Sequence, residues 1–142
     1  MYFIKDASIA YNENLVKYDG KKEDTQNGFK LWIDIINPTK SEISEITKNF
    51  ELDKSAVQAL EHKSKKPQVR ILDNHTFTII LDIKYKTFED LVTESIYLFH
   101  GGEWLITIHS EKVDLLTNVK LLFEQKNKKV MAASIDACII IF

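Results

Sequence analysis

Between Gln68 and His109 the chain reads as strand, and its middle alternates in twos. Phe77, Ile79, Leu81, Ile83 and Tyr85 form one row, and Thr76, Thr78, Asp82 and Lys84 form the other. That alternation is a strand with one face turned to a core. Val69-Arg70-Ile71-Leu72 precedes it across an Asp73-Asn74 turn. Ser95–Phe99 and Trp104–Ile108 follow as two further strands, joined at Gly101-Gly102, a composition that suits a hairpin. Upstream, Phe29, Leu31, Ile33 and Ile35 alternate with Lys30, Trp32, Asp34 and Ile36. This is another strand, and Trp32 and Ile36 predict partial cover on its second face. So much strand must form a sheet, and the sheet needs partners to bury its faces.

The partners lie on either side in the sequence. Asn37-Pro38-Thr39 ends the first strand and opens a helix, with Pro38 read into its first turn, where a missing amide hydrogen costs nothing. Ile43, Ile46 and Phe50 supply its inward stripe. Asp53 caps a second short helix with Val57 and Leu60 inward, and Lys63-Ser64-Lys65-Lys66-Pro67 closes it. After the strands, Ser110 reads as a helix cap, followed by Leu115, Leu116, Val119, Leu122 and Phe123 at helical spacing. Met131, Ile135, Cys138 and Phe142 begin one more helix, which the sequence does not end. The apolar residues of Tyr2–Tyr18 are too sparse to assign, and Lys21–Asn27 reads as an exposed loop. Strands flanked by helices make the fold class α/β, with at least one antiparallel hairpin in the sheet.

Composition narrows the function. The 142 residues suit one domain with a proper core. A single Cys excludes a disulfide framework and favours a reducing compartment. The formal charge of -2 argues against a dedicated nucleic-acid binder. No apolar stretch reaches the roughly 20 residues that cross a bilayer, and Met1–Asp6 lacks the basic-then-apolar pattern of a secretory signal. These features predict a soluble intracellular domain, although Ile139-Ile140-Ile141-Phe142 is an uncommon place for a chain to stop.

Catalytic chemistry is not legible. His62, His75, His100 and His109 have no spacing that places two on one helix face, and there is no Cys-x-x-Cys, so they read as solvated or half-buried rather than as zinc ligands. Cys138 lies on an apolar stripe, where a thiolate is disfavoured. Gly101-Gly102 does not open a helix, as a phosphate loop would, and there is no Gly-x-Ser-x-Gly elbow. The runs Lys63–Lys66 and Lys126–Lys129 read as solvated helix ends, with an anionic lipid surface or an acidic partner as the alternative. Asp136 is the lone charge in Met131–Phe142, so it needs an exposed face, a partner or a cation. Binding or regulation fits better than catalysis.

Three ordered stretches carry a family likeness. They are Trp32-Ile33-Asp34-Ile35 with its Asn-Pro turn and the helix to Asn49-Phe50-Glu51-Leu52; Pro67-Gln68-Val69 with Thr76–Leu81; and Leu105–Glu111 with Ile135-Asp136-Ala137. Together they resemble the amino-terminal cytoplasmic domain of the CorA family of magnesium and cobalt transporters. The resemblance implies an α/β/α sandwich: a central mixed parallel and antiparallel sheet with helices on both faces. It implies that residues 1–142 are a single cytoplasmic regulatory domain whose residues from about 130 to 142 begin a long stalk helix. In the full-length protein this domain would sit on the cytoplasmic side of the cell membrane, at the end of a homopentamer, with transmembrane helices beyond Phe142 and no nucleic-acid partner. It would not be an enzyme. Magnesium, with cobalt as a second ion, would be regulatory or transported. The family's sensing logic is repulsion between carboxylates at protomer interfaces, relieved by bound magnesium. Asp136 matches one family position and is the candidate metal ligand. The acidic pair of the second helix is replaced by Gln58-Ala59, and the nearby Glu61 does not occupy that position. A ZntB-like zinc transporter domain and a free-standing α/β binding protein are the alternatives.

Overall fold

The computed structural model describes residues 2–5, 8–11, 30–85, 91–102, 104–110, 113, 116–118 and 121. Among these residues the strands and longer helices run in the order β1 (Tyr2–Lys5), β2 (Ser8–Tyr11), β3 (Lys30–Ile36), α1 (Lys40–Phe50), α2 (Lys54–Glu61), β4 (Gln68–Ile71), β5 (Thr76–Tyr85), β6 (Leu91–His100) and β7 (Trp104–His109). The strands form one sheet in the order β2-β1-β3-β7-β6-β5-β4. Among the described residues only β3 and β7 pair in parallel, Leu31 opposite Trp104 through Ile36 opposite His109; every other pair there is antiparallel. The expected mixed sheet is therefore present, with α1 and α2 forming the crossover that leaves β3.

Both helices start from side chains that satisfy their exposed amides. Thr39 and Glu42 form a reciprocal capping box: the Glu42 carboxylate accepts from the Thr39 amide at 2.7 Å, and Thr39 Oγ1 accepts from the Glu42 amide at 3.3 Å. The Thr39 amide, and with it the Thr39 hydroxyl at 2.8 Å, donates to the Glu42 carboxylate and holds it below its ordinary pKa. Pro38 consequently lies before the cap, outside the first turn where the sequence reading put it. Asp53 caps α2 as expected, accepting from the amides of Ser55 and Ala56 at 2.8 and 3.2 Å.

Among the described residues, three other than glycine adopt a left-handed backbone: Asn37, Glu51 and Lys63, with φ of 51°, 52° and 50°. Glu51 ends α1 and Lys63 follows the cap of α2, where the Ser64 amide reaches back to the Ala59 carbonyl at 3.0 Å. A side chain in that conformation costs about 1 kcal/mol relative to glycine.

The two faces of the sheet differ. Ile33, Ile35, Phe77, Ile79, Tyr97, Phe99, Ile106 and Ile108 meet Ile46, Phe50, Leu52, Ala56 and Leu60 of the helical layer in one core. Phe50 packs on Trp104 with ring centroids 4.9 Å apart, and Phe77 on Phe99 at 4.8 Å. On the other face Trp32, Ile96, Leu98 and Leu105 are also buried. All six residues of β7 are buried, so the middle of the sheet is covered on both sides, as an α/β/α sandwich requires. Past β7, Val113 and Leu116 are buried and residues 116–118 are helical.

The outer strands depart from expectation. β1 and β2 form a hairpin that adds to β3, in a stretch whose sequence gave no assignment. Ile83, placed in the inward row, is half exposed, as is Leu91 at the same end of the β5–β6 pair. Ser110, read as a helix cap, donates its amide (2.9 Å) and hydroxyl to the Glu94 carboxylate. Lys21–Asn27 and the helix expected from Met131 lie outside the described residues.

Candidate ligand cleft and buried polar ladder

The parallel pair β3–β7 positions two features. The first is a polar ladder on the sheet face opposite α1 and α2. Register sets Asp34 beside Thr107 and Ile36 beside His109. The Trp32 indole N–H donates to Thr107 Oγ1 at 3.1 Å, and the Thr107 hydroxyl donates to Asp34 Oδ1. His109 Nε2 lies 3.0 Å from the same oxygen. The Asp34 and His109 side chains are both buried. An ionised carboxylate only accepts, so the geometry calls for a hydrogen on His109 Nε2. Four polar groups thus satisfy one another inside an apolar layer, the condition under which such groups can be buried at all.

The second feature is a cleft of about 570 Å³ where β3 and β7 end. Its floor includes Ile43, Leu60 and Ile108, and its rim includes Lys40, Lys63 and Lys65. One wall is fixed by the Ser64 carbonyl, which accepts from the hydroxyls of Ser95 (3.2 Å) and Tyr97 (3.0 Å). Burial pushes the Tyr97 phenol above its ordinary pKa. The carboxyl ends of parallel strands are where open α/β sheets bind ligands, and this volume is in the range of small-molecule sites.

The histidines expected to be solvated or half-buried divide. His62 is exposed and His100 partly buried, but His75 and His109 are fully buried, because the sheet layers close over positions that look like strand ends and turns in sequence. His75 sits 5.9 and 6.1 Å from the rings of Phe99 and Trp104, with Nδ1 2.6 Å from Asn74 Oδ1. Nε2 is buried without a hydrogen-bond partner among the described residues. Desolvation lowers the pKa of His75 from its ordinary 6.5, partly opposed by the Asp53 charge. The sign follows: below about pH 6.5 the unfolded chain takes up a proton that the folded chain resists. The contribution of His75 is complete above that pH and is lost as pH falls. The urea midpoint should drop between pH 7 and pH 5, and His75→Gln should flatten part of that slope. Parallel curves for the two proteins would contradict it.

No group of three or more His, Cys, Asp or Glu able to hold a metal ion is found among the described residues. Asp136, the sequence candidate, lies outside them, as do Cys138 and Lys126–Lys129. Gln58 and Glu61 are exposed on α2, and Ala59 is partly buried beside the core. Neither the polar ladder nor the cleft was found in the sequence; the only advance signal was Asp34 and Thr107 interrupting apolar strands.

Comparison with known proteins bears on this architecture. Residues 29–136 match the family model described as CorA-like Mg2+ transporter protein. The chain belongs to that family. A curated relative, the cobalt/magnesium transport protein CorA of Methanocaldococcus jannaschii, is 24% identical over 101 residues, 71% of this chain and 31% of the relative. The chain thus spans about a third of that protein's length. The soluble domain of CorA from the same organism superposes with a TM-score of 0.56 at 22% identity, covering 70% of this chain and 40% of that one. The ZntB cytoplasmic domain from Vibrio parahaemolyticus gives a TM-score of 0.56 at 13% identity, covering 67% and 39%. At these identities the structural likeness establishes the fold. Among the described residues no helix is long and apolar enough to cross a membrane.

Proposed function

We propose that this chain is the cytoplasmic domain of a CorA-type magnesium and cobalt transporter and biases its gate through divalent cations bound between protomers. The observation that carries the reading is the family match across residues 29–136, which includes every strand from β3 to β7 and both helices. On this reading the full protein is a homopentamer in the cell membrane, with its transmembrane helices beyond Phe142. A hard divalent cation takes six or more oxygens, and one carboxylate cannot supply them. Asp136 therefore acts only where protomers meet. With neutral Gln58 and Ala59 in place of an acidic pair, the site has less charge and binds magnesium weakly.

Ion flux through the full-length protein tests the reading. Magnesium and cobalt should both pass, and intracellular magnesium should slow them. Asp136→Ala should weaken the regulatory magnesium affinity by about 5-fold, roughly 1 kcal/mol, as read by calorimetry on the full-length assembly. Unchanged affinity would remove Asp136 from the site. The likeness to the ZntB cytoplasmic domain favours a second reading, a zinc transporter on the same fold. Flux of zinc alone would select it.

A further inference from the structure

The cleft at the carboxyl ends of β3 and β7 combines three properties that need one ligand to explain them. Its floor is apolar, formed by Ile43, Leu60 and Ile108. Its rim carries three amines, Lys40, Lys63 and Lys65, and among the described residues none of them makes an ion pair. Two carboxylates also line it, Glu61 and Glu94, but Glu94 is occupied by the amide and hydroxyl of Ser110. Unpaired like charges around a concavity repel one another, and an anion that enters relieves the repulsion. Three amines outnumber the two carboxylates and suit a group of more than one negative charge, as phosphate carries.

Lys63 adds an independent observation. It holds a left-handed backbone one residue past the cap of α2, the position that glycine fills most readily. A lysine at that place costs stability, and its backbone role is one that a glycine would perform better. The side chain gives the position a charge on the cleft instead.

We infer that the cleft binds a small organic phosphate of nucleotide size, with its phosphate among Lys40, Lys63 and Lys65 and its apolar body on Ile43, Leu60 and Ile108. The inference does not rest on the transport reading, and its readout is binding rather than flux.

The test is calorimetric titration of the full-length protein with AMP in magnesium-free buffer, with inorganic phosphate and adenosine as separate arms. AMP should bind more tightly than either part, and added salt should weaken it. Lys63→Gly is the decisive variant because it removes the charge while relaxing the backbone. It should weaken AMP by about 5-fold or more and leave Tm unchanged or raised. Lys48→Ser, which removes an exposed charge of α1 away from the cleft, should leave the affinity as it was. Four results would each overturn the assignment: no AMP binding at millimolar concentration, inorganic phosphate or adenosine matching AMP, full affinity in Lys63→Gly, or equal loss in Lys48→Ser.

Discussion

Asp34→Ala should destabilise the domain by about 3 kcal/mol, the scale for removing one partner of a buried charged pair. The carboxylate accepts from Thr107 and His109 in the interior of the sheet, and Thr107 in turn accepts from Trp32. Alanine leaves a hydroxyl and an imidazole N–H buried with no acceptor in place of the carboxylate oxygen, and each pays a desolvation cost that water no longer offsets. The loss comes from the orphaned groups more than from the missing bonds. A double variant that replaces both ends by apolar residues, Asp34→Val with His109→Leu, should therefore recover part of it. Urea unfolding at pH 7 measures both. A loss below about 1 kcal/mol for Asp34→Ala would mean that the ladder is solvated, and a strictly additive double variant would mean that the two ends are uncoupled.

Gly101→Ala should cost about 2–3 kcal/mol, at the upper end for overpacking a tight core. A Cβ at position 101 would lie well inside contact distance of Trp104 Cε2 and Nε1. The indole cannot step aside cheaply, because it is buried and packs on Phe50 at 4.9 Å and near His75 at 6.1 Å. Gly102 is the internal control: a Cβ there meets nothing within 4 Å, so Gly102→Ala should stay within about 0.5 kcal/mol of the parent. Thermal unfolding of the two variants gives the comparison. Equal Tm values would show that Trp104 has room to move.

Both results concern features that one sequence shows only in outline. Gly101-Gly102 is legible as a turn, and the structure makes it one between β6 and β7. That Gly101 also makes room for an indole is invisible, because the contact depends on how the tryptophan folds back over the turn. Asp34 and Thr107 are legible as polar breaks in apolar strands. Their pairing across 73 residues depends on the parallel register of β3 with β7, which no local pattern specifies. The same holds for the cleft, whose lining gathers residues from β6, the end of β7, the turn after β3 and both helices. The family likeness was legible at the level of ordered motifs, and the matched span of residues 29–136 contains the three stretches up to Asp136.

By itself the sequence determined the elements. Period-two and helical spacings mark strands β3 to β7 and helices α1 and α2, and Asp53 marks the start of α2, because these signals act through neighbours along the chain. It missed β1 and β2, whose four-residue strands are too short to show a period and exist in the sheet by pairing with each other and with β3. Only the tertiary structure decided which histidines are buried, that Ile83 is left exposed, which polar groups form the ladder, and where unpaired lysines surround a cleft. Burial and long-range hydrogen bonds depend on which layers come together, and that is a property of the sheet order, not of any segment within it.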